Sequence, residues 1–192
     1  MQTFERGFKS WAERISLSLR RDLGLSSHDA LVPAHFADFL DVHLKTPNDI
    51  PGLPTEVLHQ LLTSDPGGWS AVSVFVEGAA VVIYNPRHSA GRQASDIMHE
   101  MAHLILDHQP GTMILSQDGG MVMRSYNQKQ EDEANWLAWC LLLPREALWQ
   151  CKRLRLSVSD VAERYGVTET LVNFRIRLTG VEAQFRATRR RR

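Results

Sequence analysis

A pair of histidines four residues apart constrains this chain more than any other feature. His99 and His103 are the ends of an H-E-x-x-H motif, which Glu100, Met101 and Ala102 complete. On an α-helix, residues four apart lie on one face, one turn above the other. Both imidazoles can therefore bind one metal ion, and imidazole nitrogen is a preferred ligand of Zn²⁺.

Glu100 follows the first histidine directly, so its carboxylate can reach a metal-bound water without being a ligand. Zinc lowers the pKa of such a water to about 7, and the glutamate then accepts the proton. The resulting hydroxide attacks a carbonyl. The alternative is a buried helix with polar interruptions, but two histidines and a glutamate in such a helix need partners. The motif thus predicts one zinc ion, with Glu100 as the general base.

A third protein ligand is expected, because a catalytic zinc site takes three and leaves one position for water. A structural site, in contrast, closes with four. One extended motif places a glycine and a third histidine after H-E-x-x-H, but Leu106 and Gln109 occupy those positions. His108 comes one residue too early and is interpreted as a residue of the helix end or the surface.

A later helix offers carboxylates instead. Its predicted range, 130–144, begins with Glu131, Asp132 and Glu133 and continues almost wholly apolar. We predict Glu131 as the third ligand and Asn135, four residues on and on the same face, as a hydrogen-bond partner of a ligand histidine. Glu133 is the alternative ligand. Acidic residues in a first turn also complement the helix dipole, which suffices to explain Asp132.

These motifs together resemble the ImmA/IrrE family of bacterial and phage metallopeptidases. The matching pieces are the apolar helix 97–106 around H-E-x-x-H, the Glu131-x-x-Ala134-Asn135 pattern and the leucine-rich end at Pro144. Met101 departs from the leucine or isoleucine usual at its position.

The resemblance implies a gluzincin-like fold, with helices packed on a small mixed or antiparallel sheet. It also implies His99, His103 and Glu131 as zinc ligands and Glu100 as the base. Members of the family cleave helix-turn-helix transcriptional repressors in stress-response, mobile-element or toxin–antitoxin systems. The expected function is therefore zinc-dependent hydrolysis of a peptide bond in a protein partner, and the expected partner is a co-encoded helix-turn-helix repressor.

The predicted fold class is α+β, with a zincin-like metallopeptidase domain over residues 1–150. An amphipathic helix over 4–23 opens it, and a second helix from Pro33 is predicted to turn Phe36, Phe39 and Leu40 inward. Two β-branched stretches, 71–76 and 79–84, predict a hairpin just ahead of the zinc helix, expected from about residue 92 to 107. The position of the hairpin suggests an edge strand for the substrate backbone.

The C-terminal part, residues 151–185, resembles a helix-turn-helix. Ser157 and Thr168 are predicted caps, Gly166 makes the turn, and Arg175 falls where an apolar residue is expected. From Cys151 onward, eleven Lys and Arg face four Asp and Glu, and residues 186–192 are interpreted as a disordered basic tail. This charge allows contact with DNA, so the alternative function is a DNA- or protein-binding regulator with a non-catalytic metal site.

Compartment and transition-state stabilisation complete the expectations. The N-terminus lacks the apolar core of a signal peptide, the longest apolar run is too short for a bilayer, and the two cysteines have no metal-like spacing. A cytoplasmic protein without membrane contact is the default. Peptide hydrolysis also needs a donor to the oxyanion, for which Tyr126, Arg124 and His108 are the candidates.

Overall fold

The computed structural model describes residues 4–108 and 127–190 of the chain. Its sheet has three strands in the order β1-β3-β2, with β1 parallel and β2 antiparallel to β3. The strands are β1 Val42–Lys45, β2 Ala71–Val76 and β3 Ala79–Tyr84. Helices pack on this small mixed sheet, which confirms the predicted α+β class and is consistent with a zincin-like core.

Nine α-helices are described. They are α1 Phe8–Asp22, α2 Pro33–Phe39, α3 Thr55–His59, α4 Ala90–Ile105, α5 Gln128–Leu142, α6 Arg145–Arg153, α7 Val158–Tyr165, α8 Glu169–Thr179 and α9 Val181–Arg190. A π-helical turn, Gln60–Ser64, extends α3. None of the helices within the described ranges has both the length and the apolarity that crossing a bilayer requires.

The predicted hairpin forms β2 and β3 with the expected bounds. Its two-residue turn consists of Glu77 and Gly78, which have φ values of 52° and 87°. Positive φ at both central residues defines the turn whose twist matches that of paired strands. In the strand order, β2 lies at one edge of the described sheet, and α4 packs against both β2 and β3.

The core is built mainly where α4 meets α5. Met98, Met101 and Ala102 of α4 are fully buried, as are Ala134 and Leu137 of α5. Because alanines occupy two of these positions, the two helices can approach closely. α1 packs on the other side of α5, so the helix that carries Glu131 is enclosed between two others.

Buried polar side chains cap the C-terminal end of α5. The Ser16 hydroxyl donates to the Cys140 carbonyl at 2.6 Å, and the Arg20 guanidinium donates to the Leu141 carbonyl at 2.6 Å. Arg175 Nε donates to the Leu143 carbonyl at 2.9 Å. The last carbonyls of a helix have no partner within the helix, so these bonds satisfy them with favourably placed positive charge. Burial lowers the pKa of Arg20 to about 10, which leaves it charged at neutral pH.

Arg175 explains the departure from a helix-turn-helix pattern that the sequence showed at this position. The residue is fully buried in α8, and its Nη2 lies 2.6 Å from Glu13 Oε1 of α1. A charged residue replaces the apolar one because α8 packs on the capped end of α5 rather than only on α7. The helix-turn-helix-like segment is thus joined to the rest of the molecule through its own core face.

The first turn of α4 also contacts this segment. A Cβ placed on Gly91 would lie 2.7 Å from the Val167 carbonyl carbon and 2.9 Å from the Thr168 nitrogen. The backbone between α7 and α8 therefore lies directly against the start of the helix that carries the H-E-x-x-H motif. Only glycine fits there without displacement.

One expectation from the sequence is wrong in detail. Phe39 is predicted to point inward but is 44% exposed, because α2 ends there and the ring stacks on the buried Phe36. Residues 186–190, which belong to the predicted basic tail, continue helix α9, in which Val181 is buried and Phe185 packs on Trp149. The disorder of this tail stays a prediction.

Candidate metal centre

Helix α4 brings the two motif histidines together, as their spacing requires. Their Nε2 atoms lie 3.0 Å apart, with ring centroids at 4.6 Å. Helix α4 both starts and ends two residues earlier than the range expected from the sequence. The motif lies within its last three turns. Both imidazoles are partly exposed, at 21% for His99 and 13% for His103, so a solvent molecule can reach the cluster.

Glu131 approaches the same point from the first turn of α5. Its Oε2 lies 3.2 Å from His99 Nε2, and its Oε1 lies 3.6 Å from His103 Nε2. The Asn127 side chain caps this helix by accepting from the backbone nitrogens of Lys129 and Gln130. The cap fixes where α5 starts and therefore where Glu131 points.

The three residues fit a divalent metal ion. One ligand atom from each of His99, His103 and Glu131 lies within 4.8 Å of the others. A tetrahedral zinc ion with ligands at about 2.1 Å would separate those atoms by about 3.4 Å. The two Nε2 atoms lie 3.0 Å apart, and the two carboxylate oxygens of Glu131 approach them separately, Oε2 at 3.2 Å from His99 and Oε1 at 3.6 Å from His103, so each distance is close to that value. Two imidazoles and one carboxylate also form the donor set of a known class of catalytic zinc site.

Glu100 follows His99 in α4, and the edge strand β2 holds its side chain. The side chain is only 4% exposed, and its Oε2 accepts two hydrogen bonds from Ser73. The backbone N–H of Ser73 donates at 2.9 Å and its hydroxyl donates at 2.7 Å. Both bonds end on Oε2 and fix the orientation of the carboxylate. The other oxygen, Oε1, takes no part in this contact.

His108 and Glu133 lie on the far side of His103. His108 Nδ1 is 3.0 Å from His103 Nδ1, and His108 Nε2 is 3.5 Å from Glu133 Oε2. The His108 side chain is 8% exposed. Burial lowers the pKa of His108, and the charge of Glu133 opposes that shift. Glu133, the alternative ligand of the sequence prediction, therefore faces His108 and not the cluster.

Asn135 does not make the predicted contact. Its Nδ2 donates to the Glu131 carbonyl at 2.8 Å, within its own helix. His99 Nδ1 is buried and has no hydrogen-bond partner among the described residues. A short amide on a helix readily reaches the carbonyl four residues back, and this local bond replaces the expected one.

The oxyanion candidates have different outcomes. Tyr126 and Arg124 lie outside the described residues. His108 contacts the Nδ1 atom of His103, on the opposite side of that ring from the Nε2 atom in the cluster. From that position it supports a ligand and does not face the space between the ligands.

Sequence reasoning missed Ser73 altogether. Its only signal is a hydroxyl in the middle of a strand of otherwise apolar residues, Ala71–Val76. Such a residue needs a hydrogen-bond partner when its face is covered, and here the partner is the motif glutamate 27 positions later.

Comparison with known proteins identifies the family to which the chain belongs. A family model described as the IrrE N-terminal-like domain, Peptidase M78, matches residues 58–177, which is more than half of the chain. Among solved structures, a chain described as a Mycobacterium tuberculosis transcriptional regulator is similar, with a TM-score of 0.51 and 14% identity. The similarity covers 90% of this chain and 47% of that one, and at this identity it concerns the fold alone. No curated protein matches the sequence.

Proposed function

The chain belongs to the Peptidase M78 family of IrrE N-terminal-like domains, and on this premise we propose that it is a zinc-dependent endopeptidase acting on a protein partner. The observation that carries the proposal is the meeting of His99, His103 and Glu131 at one point, with Glu100 next to His99 in the same helix. Three ligands leave one position for water, which is the arrangement of catalytic rather than structural zinc sites.

Each residue of the site has a role in the proposed hydrolysis. Bound Zn²⁺ would lower the pKa of a coordinated water and polarise the scissile carbonyl. Glu100 would act as the general base towards the attacking water and would return that proton to the leaving amine nitrogen. Ser73 keeps the Glu100 carboxylate in one orientation through its two hydrogen bonds to Oε2. The oxygen that Ser73 does not contact, Oε1, serves as the base.

The substrate is proposed to bind along the edge strand. β2 is paired on one side with β3, and on its other side the Ser73 N–H already donates to Glu100, so an added peptide would pair with the remaining main-chain groups of this edge. An extended peptide can add to such an edge through main-chain hydrogen bonds, with pockets for alternate side chains. Phe75 and Val76, which are 60% and 54% exposed, supply apolar surface at one end of the strand.

A helix-turn-helix repressor is the proposed partner, which follows from the family resemblance. The protein's own helix-turn-helix-like segment is proposed to be structural. In DNA-binding proteins of this type, the N-terminal residues of the second helix contact the bases. Here the backbone of Val167 and Thr168, just before α8, packs against Gly91. Val172 and Arg175, farther along the same helix, are fully buried in the protein.

Substitution of the base tests the proposal. Glu100→Gln keeps the volume of the side chain and removes its ability to accept a proton at neutral pH. We expect this variant to bind zinc in a one-to-one ratio, measured by elemental analysis, and to lose cleavage of a proteome-derived peptide library by at least 100-fold. Glu56→Gln, at an exposed position of α3, is the matched control and is expected to retain both properties.

Three outcomes would refute the proposal: purified wild-type protein that takes up no zinc, wild-type protein that yields no zinc-dependent cleavage products, or Glu100→Gln that cleaves as fast as wild type. Elemental analysis after readdition of Zn²⁺ to chelated protein separates the first two, because it reports metal uptake whether or not cleavage follows.

A further inference from the structure

His108 is placed against the back of a metal-cluster histidine by the way α4 ends. Asp107 adopts φ of 52°, in the left-handed region, directly after the last turn. The His108 backbone N–H then donates to the His103 carbonyl at 3.0 Å, and the Asp107 N–H donates to Leu104 at 3.2 Å. This pair of bonds is the Schellman arrangement, with aspartate in the place usually taken by glycine. It folds the chain back so that His108 faces the ring of His103.

The proton positions along this contact follow from the geometry. His103 presents Nε2 to the cluster, so a ligating His103 carries its proton on Nδ1. That proton points at His108 Nδ1, 3.0 Å away, which must then be the acceptor. The remaining proton of His108 sits on Nε2, and this atom lies 3.5 Å from Glu133 Oε2. Every proton thus has one consistent position.

The carboxylate at the end of this series is itself held in place. Lys129 Nζ lies 3.8 Å from Glu133 Oε1 and 2.7 Å from Glu5 Oε1. Glu133 is largely buried, with 13% of its side chain exposed, and the lysine offsets its charge. The acceptor for His108 therefore keeps a fixed position although it lies near the surface.

We propose that His108, supported by Glu133, is a positioning residue that holds His103 in the tautomer and ring orientation needed to bind zinc. Metal-ligating histidines generally donate their second N–H to a carboxylate, carbonyl or water, and loss of that partner weakens metal binding by about 10–100-fold. In this protein a second imidazole is interposed between the ligand and the carboxylate. The inference rests on the proposed zinc site and assigns to it two residues beyond its ligands and base.

The test compares two substitutions of His108. Leucine has a similar volume but no acceptor, whereas the Oδ1 atom of asparagine occupies nearly the place of histidine Nδ1. We expect His108→Leu to raise the dissociation constant for Zn²⁺ by about 10–100-fold, measured by competition with a chromophoric chelator. His108→Asn should restore affinity to within about threefold of wild type, because it still accepts from His103.

Two further measurements separate positioning from other roles. Absorption of the Co²⁺-substituted protein should keep the band positions of wild type in His108→Leu, because His108 is not itself a ligand. Glu133→Leu should weaken zinc binding less than His108→Leu does, because it acts through His108. His59→Leu, at an exposed position of α3, is the control for loss of a histidine.

Three results would overturn the inference. His108→Leu could bind Zn²⁺ as tightly as wild type, or His108→Asn could bind it as weakly as His108→Leu. The third is a shift of the Co²⁺ absorption bands in His108→Leu that indicates a changed coordination number. These results leave the proposed function intact, because each presupposes that wild type binds the metal. Wild-type protein without zinc affinity would instead refute the proposed function and this inference together.

Discussion

Replacement of Gly91 by alanine tests whether the helix-turn-helix-like segment braces the metal-binding helix. The added methyl would lie 2.7 Å from the Val167 carbonyl carbon and 2.9 Å from the Thr168 nitrogen. Carbon atoms in good contact are about 3.5–4.0 Å apart, so one of the two backbones must move by nearly 1 Å. Neither contacted atom belongs to a flexible side chain that could rotate away.

The expected cost follows from two opposing effects. Insertion of a methyl group into a packed contact costs about 1–3 kcal/mol. Alanine in a helix is better than glycine by about 0.5–1 kcal/mol, which offsets part of that cost. We therefore expect the free energy of unfolding to fall by about 1–2 kcal/mol. For a chain of this length, that corresponds to a fall in Tm of about 2–8 °C.

Thermal and urea unfolding, followed by circular dichroism, measure this change. Gly67→Ala is the matched control, because a methyl there meets nothing within 4 Å, and its effect should stay within about 0.5 kcal/mol. Amide hydrogen exchange should accelerate in α7 and α8 of Gly91→Ala, where the contact is lost. If Gly91→Ala is as stable as Gly67→Ala, the two segments are not in rigid contact and the reasoning fails.

Three further predictions concern the thiols, a helix cap and the pH dependence of stability. Burial raises the pKa of Cys140 to about 12 and also raises that of Cys151, so neither should react with Ellman's reagent at pH 8 until the protein is denatured, when two thiols appear. Thr168→Ala removes the acceptor for the Leu171 N–H and should cost about 1 kcal/mol by urea unfolding, whereas Thr168→Ser should be nearly neutral. Hydrogen bonds from Ser157 lower the pKa of Asp160, so this contact stabilises the fold above the ordinary carboxyl pKa and its contribution disappears as the pH falls through the lowered value. The Tm difference between wild type and Ser157→Ala should accordingly be constant above pH 5 and shrink below about pH 4; a difference that grows on acidification would contradict the assignment.

Local patterns account for the parts of the fold that the sequence predicted well. The hairpin follows from β-branched residues on either side of Glu77-Gly78, and the H-E-x-x-H cluster follows from helical spacing alone. The sequence does not predict β1, because this strand has only four residues and two of them are polar. It forms by parallel pairing with β3, nearly forty residues later in the chain. Short strands of this kind depend on tertiary pairing rather than on intrinsic preference.

The unpredicted parts of the site depend on contacts that no local pattern encodes. Ser73 reaches Glu100 only because the sheet edge packs on α4. His108 reaches His103 only because Asp107 adopts a left-handed conformation, for which glycine or asparagine would have been the usual signal. Arg175 is buried against Glu13, a partner 162 positions away. In each case a polar residue in an unexpected place marked a contact, but the sequence did not identify its partner.

The capped end of α5 has a consequence for how distant parts of the chain influence one another. Glu131 lies in the first turn of this 15-residue helix, and the carbonyls held by Ser16, Arg20 and Arg175 lie at or just beyond its last turn. At 1.5 Å per residue the two ends are about 20 Å apart. Because α5 is held at the end opposite Glu131, we expect substitution of Arg175 to loosen the whole helix and so to lower metal affinity, although Arg175 does not contact the metal cluster.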